Sequence, residues 1–411
     1  MRKVIRKNFH IIDKKLFRCK KSKKGRICFL IPHHPDEKIG GYEIQTYNIA
    51  RKLSEKGWEV YFLAITYKQL RMFEEYGVCS ILIPGVRMEL AFLNFIKLFK
   101  FLKLINADIY ISGPNTPYTA IVGFFTRLHR KQFLWISAGD MDVSEKRFSK
   151  YWFKKERTFF LKKILILIWG KILDSISSWG IKKANVGVAL TKYQQNKIRQ
   201  NFGIPSIVIP VAHEVPLLPK PKIHSKPVIV VWIANIKSVK RPLLFIKLAQ
   251  ECLDLEAKFL MIGYIQESQL SRLISYYNSR LKNFHYLGGQ DYKNVMEILN
   301  NADILVNTSE AEGFPSTFVE AWMRGVPVLS LAIDPDGYIK QYKLGFCSEG
   351  NWKEFVARGR DLINNPTLRR NLGLNAREFA RKNFTLNSIA EKYNDLLKAL
   401  QFHGLKRQFL K

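Results

Sequence analysis

The feature that most constrains the fold is an alternation of strand and helix patterns that runs twice along the 411-residue chain. The first run begins with the apolar segment RICFLI (26–31), continues through a loop into a helical pattern, and reaches a second apolar run at 58–65. The order strand, loop, helix, strand predicts a βαβ unit and therefore a parallel sheet. Because the same alternation restarts at VIVVWI (228–233), the sequence predicts an α/β protein with two such domains.

The segment between the two runs is rich in proline. Pro disrupts regular elements, so we predict a linker over 206–227. Ligands of open α/β sheets bind at the carboxyl ends of the strands, so a cleft between the two sheets is the expected binding site. The predicted domains are a basic arm (1–25), an N-terminal domain (26–205), a C-terminal domain (228–384), and a final helix (385–411) that packs back on the N-terminal domain.

The charge is distributed unevenly. The net charge is +33, and residues 1–200 carry +24 of it. This excess predicts an anionic partner for the N-terminal half, namely phosphate groups, a membrane surface or nucleic acid. The segment 146–183 combines lysines with apolar residues at helical spacing. That pattern suits an anionic lipid surface, and equally an ordinary helix that packs its apolar side on the sheet.

Two further observations bear on location. The five cysteines are scattered and lack metal-site spacing, which favours a reducing cytoplasm. No stretch approaches the roughly 18 apolar residues needed to span a bilayer. We therefore expect a protein that is soluble or lies on a membrane surface and does not cross it.

The segment DILVNTSEAEGFPSTFVEAWMRGVPVLS (303–330) carries the most chemical information. Seven residues separate Glu312 from Glu320, and Pro315 stands where a helix would begin. The amides of Ser316 and Thr317 would then point out of the helix N-terminus, a place that favours phosphate. Carboxylates accept hydrogen bonds from sugar hydroxyls. Taken alone, such a glutamate pair is more often a cap and a solvated charge.

In its full setting, EGFPSTFVEAW…GVPVLS resembles the Glu-x7-Glu signature of retaining glycosyltransferases of family 4. The segments WIANIKSVKRPLLFIKLAQ and IGGYEIQTYNIARKLSEKGWEVYFLA resemble further parts of that family. The resemblance implies a GT-B fold, in which two Rossmann-like domains face each other. It also implies a UDP- or GDP-linked sugar donor and retention of anomeric configuration. Among bacterial surface-polysaccharide enzymes of this type, the acceptor is lipid-linked or a polysaccharide, and the enzyme works at the inner face of the plasma membrane.

The resemblance also assigns roles to residues. Glu320 would hold the ribose hydroxyls, Glu312 the transferred sugar, and Lys240 the diphosphate. Many family members carry a His in the first domain where this chain has LWISAGDMDV, so Asp140 is the catalytic candidate there. The expected donor-binding residues are Gly40, Gly41, Asn235, Lys240, Glu312, Gly313, Phe314, Pro315, Ser316, Thr317 and Glu320, with Asn235 standing where the family often has Arg.

Metal binding and other functions are the alternatives. Asp140 with Asp142, and Asp334 with Asp336, form Asp-x-Asp pairs that hold a divalent cation in another glycosyltransferase architecture. Lys240 and helix amides supply positive charge here, so we predict no metal and no cofactor. The competing functions are a catalytically inactive nucleotide-sugar-binding protein, a glycoside hydrolase using the two glutamates, and a basic nucleic-acid-binding protein.

Overall fold

The computed structural model describes residues 24–37, 40–86, 88–149, 160–216 and 226–403. They form two compact units. The first contains the described residues up to Ala212 together with those from Leu386 onward, and the second runs from His213 to Thr385. Each unit is built around one mainly parallel sheet.

The first unit contains an eight-stranded sheet in the order β3-β4-β2-β1-β5-β6-β7-β8, in which only the β3–β4 pair among the described strands is antiparallel. A 3-10 helix spans Met88–Asn94. The elements are β1 (Arg26–Ile31), α1 (Gly41–Glu55), β2 (Glu59–Thr66), β3 (Arg71–Glu75), β4 (Val78–Pro84), α2 (Phe95–Ile105), β5 (Ile109–Ser112), α3 (Pro117–Leu128), β6 (Gln132–Ile136), α4 (Phe160–Ile181), β7 (Val186–Ala189), α5 (Lys192–Phe202) and β8 (Ser206–Val208).

The central strands of this sheet are apolar on both faces, which is typical of a parallel sheet covered by helices. Every residue of β2 is buried. The last helix of the chain, α13 (Leu386–His403), covers one of the two faces. Leu397 and Leu400 of α13 have no exposed surface, and Trp58 Nε1 donates to Asn394 Oδ1 at 3.1 Å. The final helix therefore completes the core of the first unit.

The second unit has a six-stranded, all-parallel sheet in the order β11-β10-β9-β12-β13-β14. A 3-10 helix spans Ser238–Lys240. The elements are β9 (Val228–Ile233), α6 (Pro242–Gln250), β10 (Ala257–Ile262), α7 (Ser268–Arg280), β11 (Phe284–Tyr286), α8 (Tyr292–Asn301), β12 (Ile304–Asn307), α9 (Ser316–Met323), β13 (Val328–Ser330), α10 (Tyr338–Tyr342), β14 (Gly345–Cys347), α11 (Trp352–Asn364) and α12 (Pro366–Asn383).

The strand order of this sheet reverses at β9. From β9 the chain builds outward through β10 and β11, and it then returns to place β12 on the other side of β9. Ligands of open α/β sheets bind at the carboxyl ends of the strands beside such a switch point. The loops that follow β9 and β12 are therefore the natural place for a site.

The structure corrects the predicted linker at its start. Residues Ser206–Val208 form β8, which pairs with β7 at the edge of the first sheet. The prolines at positions 205 and 210 flank this strand, and an edge position needs hydrogen bonds on one side only, so the strand is compatible with them. Of the remaining linker, residues 217–225 lie outside the described part of the chain.

Among the described cysteines, Cys79 is disulfide-bonded, whereas Cys28, Cys252 and Cys347 are free. One expectation about location changes. The expectation that no segment is long and apolar enough to span a membrane is wrong by length and composition. Within the described residues, the single helical window that meets both criteria is Ile164–Ile181 of α4. Its apolar residues are interspersed with Gly, Ser, Lys171 and Asp174, so the segment does not stand out as an apolar stretch in the sequence.

Candidate active site

Two loops of the second unit meet beside the switch point. The loop after β9 ends in the 3-10 helix Ser238–Lys240, and Arg241 then adopts a left-handed conformation (φ 48°) before Pro242 starts α6. The loop after β12 is joined to it by a backbone hydrogen bond of 2.9 Å from Glu310 N to Val239 O. Lys240 is thereby brought beside the segment that carries Glu312.

Thr308 stabilises the contact between these two loops. Its side chain has no exposed surface. Its hydroxyl accepts from Trp232 Nε1 at 2.9 Å and lies 2.9 Å from the carbonyl oxygen of Lys240, to which it donates. Buried polar groups are costly unless they are paired, so these contacts hold the backbone of Lys240 against the end of β12.

Lys240 and Glu312 form an ion pair through Nζ and Oε1. Ser309 Oγ donates to the same carboxylate oxygen at 2.8 Å. Both members of the pair are 16% exposed, so a ligand from solvent can reach them. The carboxylate is held by two donors, and the ammonium lies where it can also meet an anionic ligand.

Glu320 occupies a different environment. Glu320 lies in the second turn of α9 and is only 7% exposed. The side chain of Tyr292 forms a hydrogen bond with its carboxyl group. Burial raises the pKa of Glu320 to about 7, although the positive charge of Arg324 opposes this shift. Arg324 is itself anchored by a 2.9 Å hydrogen bond from Nη1 to the backbone oxygen of Glu320.

His213 completes the surroundings of Glu320. Its Nδ1 lies 3.6 Å from Glu320 Oε1. Burial, reinforced by the charge of Arg324, lowers the pKa of His213 to about 3. The imidazole is therefore neutral at physiological pH, and this contact is not an ion pair.

The N-terminus of α9 is open to a ligand. Pro315 precedes the helix, and no side chain caps its first amides, which belong to Ser316 and Thr317. Phe314 is buried, and its ring lies 5.4 Å from that of Phe384 between centroids, so the loop is anchored. Free amides and the helix dipole favour an anion such as phosphate at this position.

The remaining predicted residues are distributed over both units. Asn235 is exposed in the loop after β9. Gly40 precedes α1 of the first unit with an extended backbone (φ −141°), which any residue can adopt, and Gly41 is the first helical residue. Asp140 accepts a 2.9 Å hydrogen bond from Gln194 Nε2, and Gln194 in turn accepts from Ser137 at 2.7 Å.

The Asp-x-Asp pairs have structural tasks. Asp142 is buried, accepts from the Ala138 amide at 2.7 Å and pairs with Arg147. Asp334 accepts from the Ile339 amide at 2.8 Å at the start of α10. Across the described ranges, the structure contains no group of three or more His, Cys, Asp or Glu side chains arranged to hold a metal ion.

Sequence reasoning missed several neighbours of the site. Arg324 could have been found, because it lies one turn after Glu320 on the same helix. Ser309 is three residues before Glu312. His213 and Tyr292 contact Glu320 from distant parts of the second unit, and no local sequence pattern predicts these contacts.

Comparison with known proteins shows what the chain is similar to. The Anabaena protein HepE, solved in complex with UDP-glucose, superimposes with a TM-score of 0.65 over 92% of this chain and all of that chain, at 15% identity. At this identity the likeness establishes the fold alone, which is GT-B. Residues 217–379 match the family model described as glycosyl transferases group 1.

Relatives in sequence agree with this class. An uncharacterized glycosyltransferase of Methanocaldococcus jannaschii is 24% identical over 90% of this chain and 97% of its own length. A poly(ribitol-phosphate) alpha-N-acetylglucosaminyltransferase of Staphylococcus aureus is 26% identical over 52% of this chain and 44% of its own. The group 1 domain, these relatives and the fold together support a GT-B glycosyltransferase acting in glycan synthesis.

Proposed function

We propose that the protein is a retaining glycosyltransferase of family 4 that moves a hexose-type sugar from a UDP- or GDP-linked donor to a lipid-linked or polysaccharide acceptor. The product would be a cell-surface glycan such as capsule, exopolysaccharide or lipopolysaccharide. The observation that carries the proposal is the pairing of Lys240 with Glu312 beside the switch point, with the open end of α9 immediately after it.

Lys240 is assigned to the donor diphosphate. As the sugar leaves, negative charge grows on the diphosphate, and a preplaced ammonium stabilises it. In the structure this ammonium pairs with Glu312, so a bound diphosphate competes with Glu312 for it. Ser309 still donates to the carboxylate. Glu312 then remains oriented, with acceptor capacity free for hydroxyls of the transferred sugar.

Glu320 is assigned to the ribose. Its carboxyl group is buried and lies on the same short helix whose first amides would meet the phosphates. Ribose hydroxyls that donate to it would favour the ionised carboxylate, because a carboxylate is an acceptor only. Gly313, Phe314, Pro315, Ser316 and Thr317 contribute the backbone around the phosphates, and no metal ion or cofactor is assigned a role.

The first unit is assigned to the acceptor side. We assign Gly40 and Gly41 to donor binding, Asp140 to the transferred sugar or the acceptor, and Asn235 to the diphosphate. The alpha-N-acetylglucosaminyltransferase relative supports a polymeric acceptor and an α product, which retention delivers from an α-configured donor. The charge of +33 supports a cytoplasmic enzyme bound peripherally to an anionic membrane.

Calorimetry with UDP and GDP tests the assignment of the two glutamates. Glu320→Ala removes charge-assisted hydrogen bonds worth about 1.5–3 kcal/mol each and should weaken the binding of the diphosphate roughly tenfold or more. Glu312→Ala should not weaken the binding of free diphosphate, because it removes a competitor for Lys240, and it should lower turnover of the intact donor. Glu310→Ala, at an exposed glutamate two residues earlier, is the matched control and should change neither.

Other results of these measurements would indicate one of the alternative functions. A pKa near 7 for Glu320 is also what a general acid of a glycoside hydrolase needs. That function predicts that both substitutions abolish sugar cleavage while nucleotide affinity stays unchanged. Normal nucleotide binding without transfer indicates an inactive binder, and salt-sensitive retention of RNA or DNA without nucleotide binding indicates a nucleic-acid-binding protein.

A further inference from the structure

We propose that the first unit binds an anionic phospholipid, with an acyl chain in an apolar pocket and the phosphate in an adjoining basic pocket. The inference rests on the membrane location proposed above and deepens it, but it does not depend on sugar transfer. Its failure would leave nucleotide binding and the roles of Glu312 and Glu320 untouched.

The apolar pocket has a volume of about 450 Å³. It lies between the 3-10 helix Met88–Asn94 and the helices α2, α3 and α4. Ser175 is the only residue with a hydroxyl among its described lining residues, and the main walls are Phe92, Phe95, Phe124, Trp169, Ile176 and Trp179. The volume falls within the roughly 300–1,000 Å³ of small-molecule sites, and the lining is suited to a hydrocarbon chain.

The surface around this pocket is also apolar and exposed. Along α4, Leu165 is 67% exposed and Ile168 is 50% exposed, and they continue into Ile176 and Trp179 at helical spacing. Ile96 of α2 is 81% exposed. Exposed apolar side chains grouped around an apolar pocket are typical of a membrane or protein interaction site.

The basic pocket has a volume of about 310 Å³ and lies at the end of α3 and just beyond α4. Four cationic side chains line it, and no acidic residue is among its described lining residues. They are Arg127, Arg130, Lys131 and Lys183. Within the described ranges, none of the four forms a salt bridge. Four cations around one cavity provide the charge complement of a phosphate group.

The two pockets adjoin each other. Trp179 lines the apolar pocket, Lys183 lines the basic one, and Lys183 Nζ lies 5.2 Å from the centre of the Trp179 ring. On α3, Phe124 lines the apolar pocket and Arg127 lines the basic one, and the two are separated by a rise of about 4.5 Å along the helix. A phosphate joined to a hydrocarbon chain uses both pockets at once, whereas a nucleic acid would use only the basic one.

The packing of α4 favours a helix that lies on the bilayer over one that crosses it. A Cβ atom on Gly180 would come within 2.4 Å of Ala120 Cα, so α4 and α3 are in close contact. Asp174 of α4 is buried and accepts from the Phe148 amide at 2.7 Å and from Ser149 Oγ at 2.6 Å. Such a buried carboxylate would lose its partners if the helix left the unit.

Vesicle flotation of the full chain tests the inference. Vesicles of phosphatidylcholine and phosphatidylglycerol in equal parts should bind the protein, and pure phosphatidylcholine should bind it far less. Arg127→Glu with Arg130→Glu should reduce binding to the mixed vesicles roughly 25-fold or more, since each basic residue near an anionic surface contributes about fivefold. The matched control is Lys192→Glu with Arg199→Glu, which makes the same charge change at exposed positions on α5 and should retain most of the binding.

A second measurement addresses the apolar pocket. Dihexanoyl phosphatidylglycerol below its micelle concentration should raise the melting temperature, and inorganic phosphate at equal concentration should raise it less. Ile176→Asp, at a position already 41% exposed, should abolish the difference, and Ile176→Ala serves if the charged variant does not fold. Equal binding to both vesicle types, an equal loss in the matched control, or equal stabilisation by phosphate would overturn the inference. So would an Ile176→Asp variant that dissociates an oligomer while keeping its lipid binding, because the apolar face would then belong to a second copy.

Discussion

Replacing Glu320 by Gln should stabilise the protein at high pH and weaken nucleotide binding in the same variant. The glutamate is buried on α9, and burial raises the pKa of its carboxyl group from 4.5 to about 7. The folded state therefore holds the proton more tightly than the unfolded chain does. The stabilising contribution of Glu320 is fully present below pH 4.5 and is lost as the pH rises through 7.

The magnitude follows from these two pKa values. Between pH 5 and pH 8 the contribution of Glu320 to the free energy of unfolding falls by about 2.5 kcal/mol. Gln keeps the size of the side chain and carries no proton to lose. Relative to wild type, Glu320→Gln should therefore gain about 2.5 kcal/mol in stability when the pH is raised from 5 to 8.

The titration of His213 changes the stability of the protein in the opposite direction, so its effect must be removed from the measurement. Its pKa is lowered to about 3 in the folded state, from 6.5, so it destabilises the protein as the pH falls below 6.5. This effect is common to wild type and variant, because burial and Arg324 produce it, not Glu320. The quantity to measure is the difference in unfolding free energy between the two proteins, obtained by urea denaturation at each pH.

Two results would refute this reasoning. A difference that does not change between pH 5 and pH 8 would mean that Glu320 is not desolvated enough for its pKa to rise. A difference that changes in the opposite sense would mean that Arg324 outweighs burial and stabilises the ionised carboxylate. The accompanying loss of UDP or GDP affinity separates a functional role for the buried charge from a purely structural one.

Three further outcomes are expected. Lys240→Gln should lower transfer from the intact donor at least tenfold, since charge-assisted hydrogen bonds are worth about 1.5–3 kcal/mol, and full activity in a donor assay would remove Lys240 from the mechanism. Gly180→Leu should lower the free energy of unfolding by about 1–3 kcal/mol, because it overpacks α4 against α3. Leu165→Ala, at the exposed face of α4, should change that free energy by less than about 0.5 kcal/mol. Equal effects of the two substitutions would contradict the packing of α4. Thr308→Val leaves the indole N–H of Trp232 unpaired and should lower the free energy of unfolding, measured with urea, by about 1–3 kcal/mol. An unchanged unfolding midpoint would mean that this hydrogen bond does not stabilise the protein.

Local patterns were sufficient where a strand or helix is determined by its own residues. VIVVWI predicted β9 with its observed bounds (228–233), because a buried parallel strand is apolar throughout. Pro315 and Gly325 bracket α9, which spans Ser316–Met323, because proline and glycine favour the two ends of a helix. The order of these elements predicted two βαβ domains, and the resemblance to family 4 implied the GT-B fold.

Three short edge strands were not predicted from the sequence. β3, β8 and β14 have five, three and three residues. Segments this short show no usable periodicity, and their strand conformation depends on the neighbour with which they pair. The assignment of Ser206–Val208 to a linker was wrong for this reason.

By itself, the sequence determined which residues bring chemistry to the second unit: a lysine after one strand, and two glutamates around the start of a helix. Only the tertiary structure decided their states. Lys240 meets Glu312 across 72 residues of chain, and Glu320 is buried beside His213 and Tyr292, which come from two other segments. Ion pairing and desolvation depend on what surrounds a group in space. A sequence pattern can therefore name a carboxylate, but only the folded chain determines its charge.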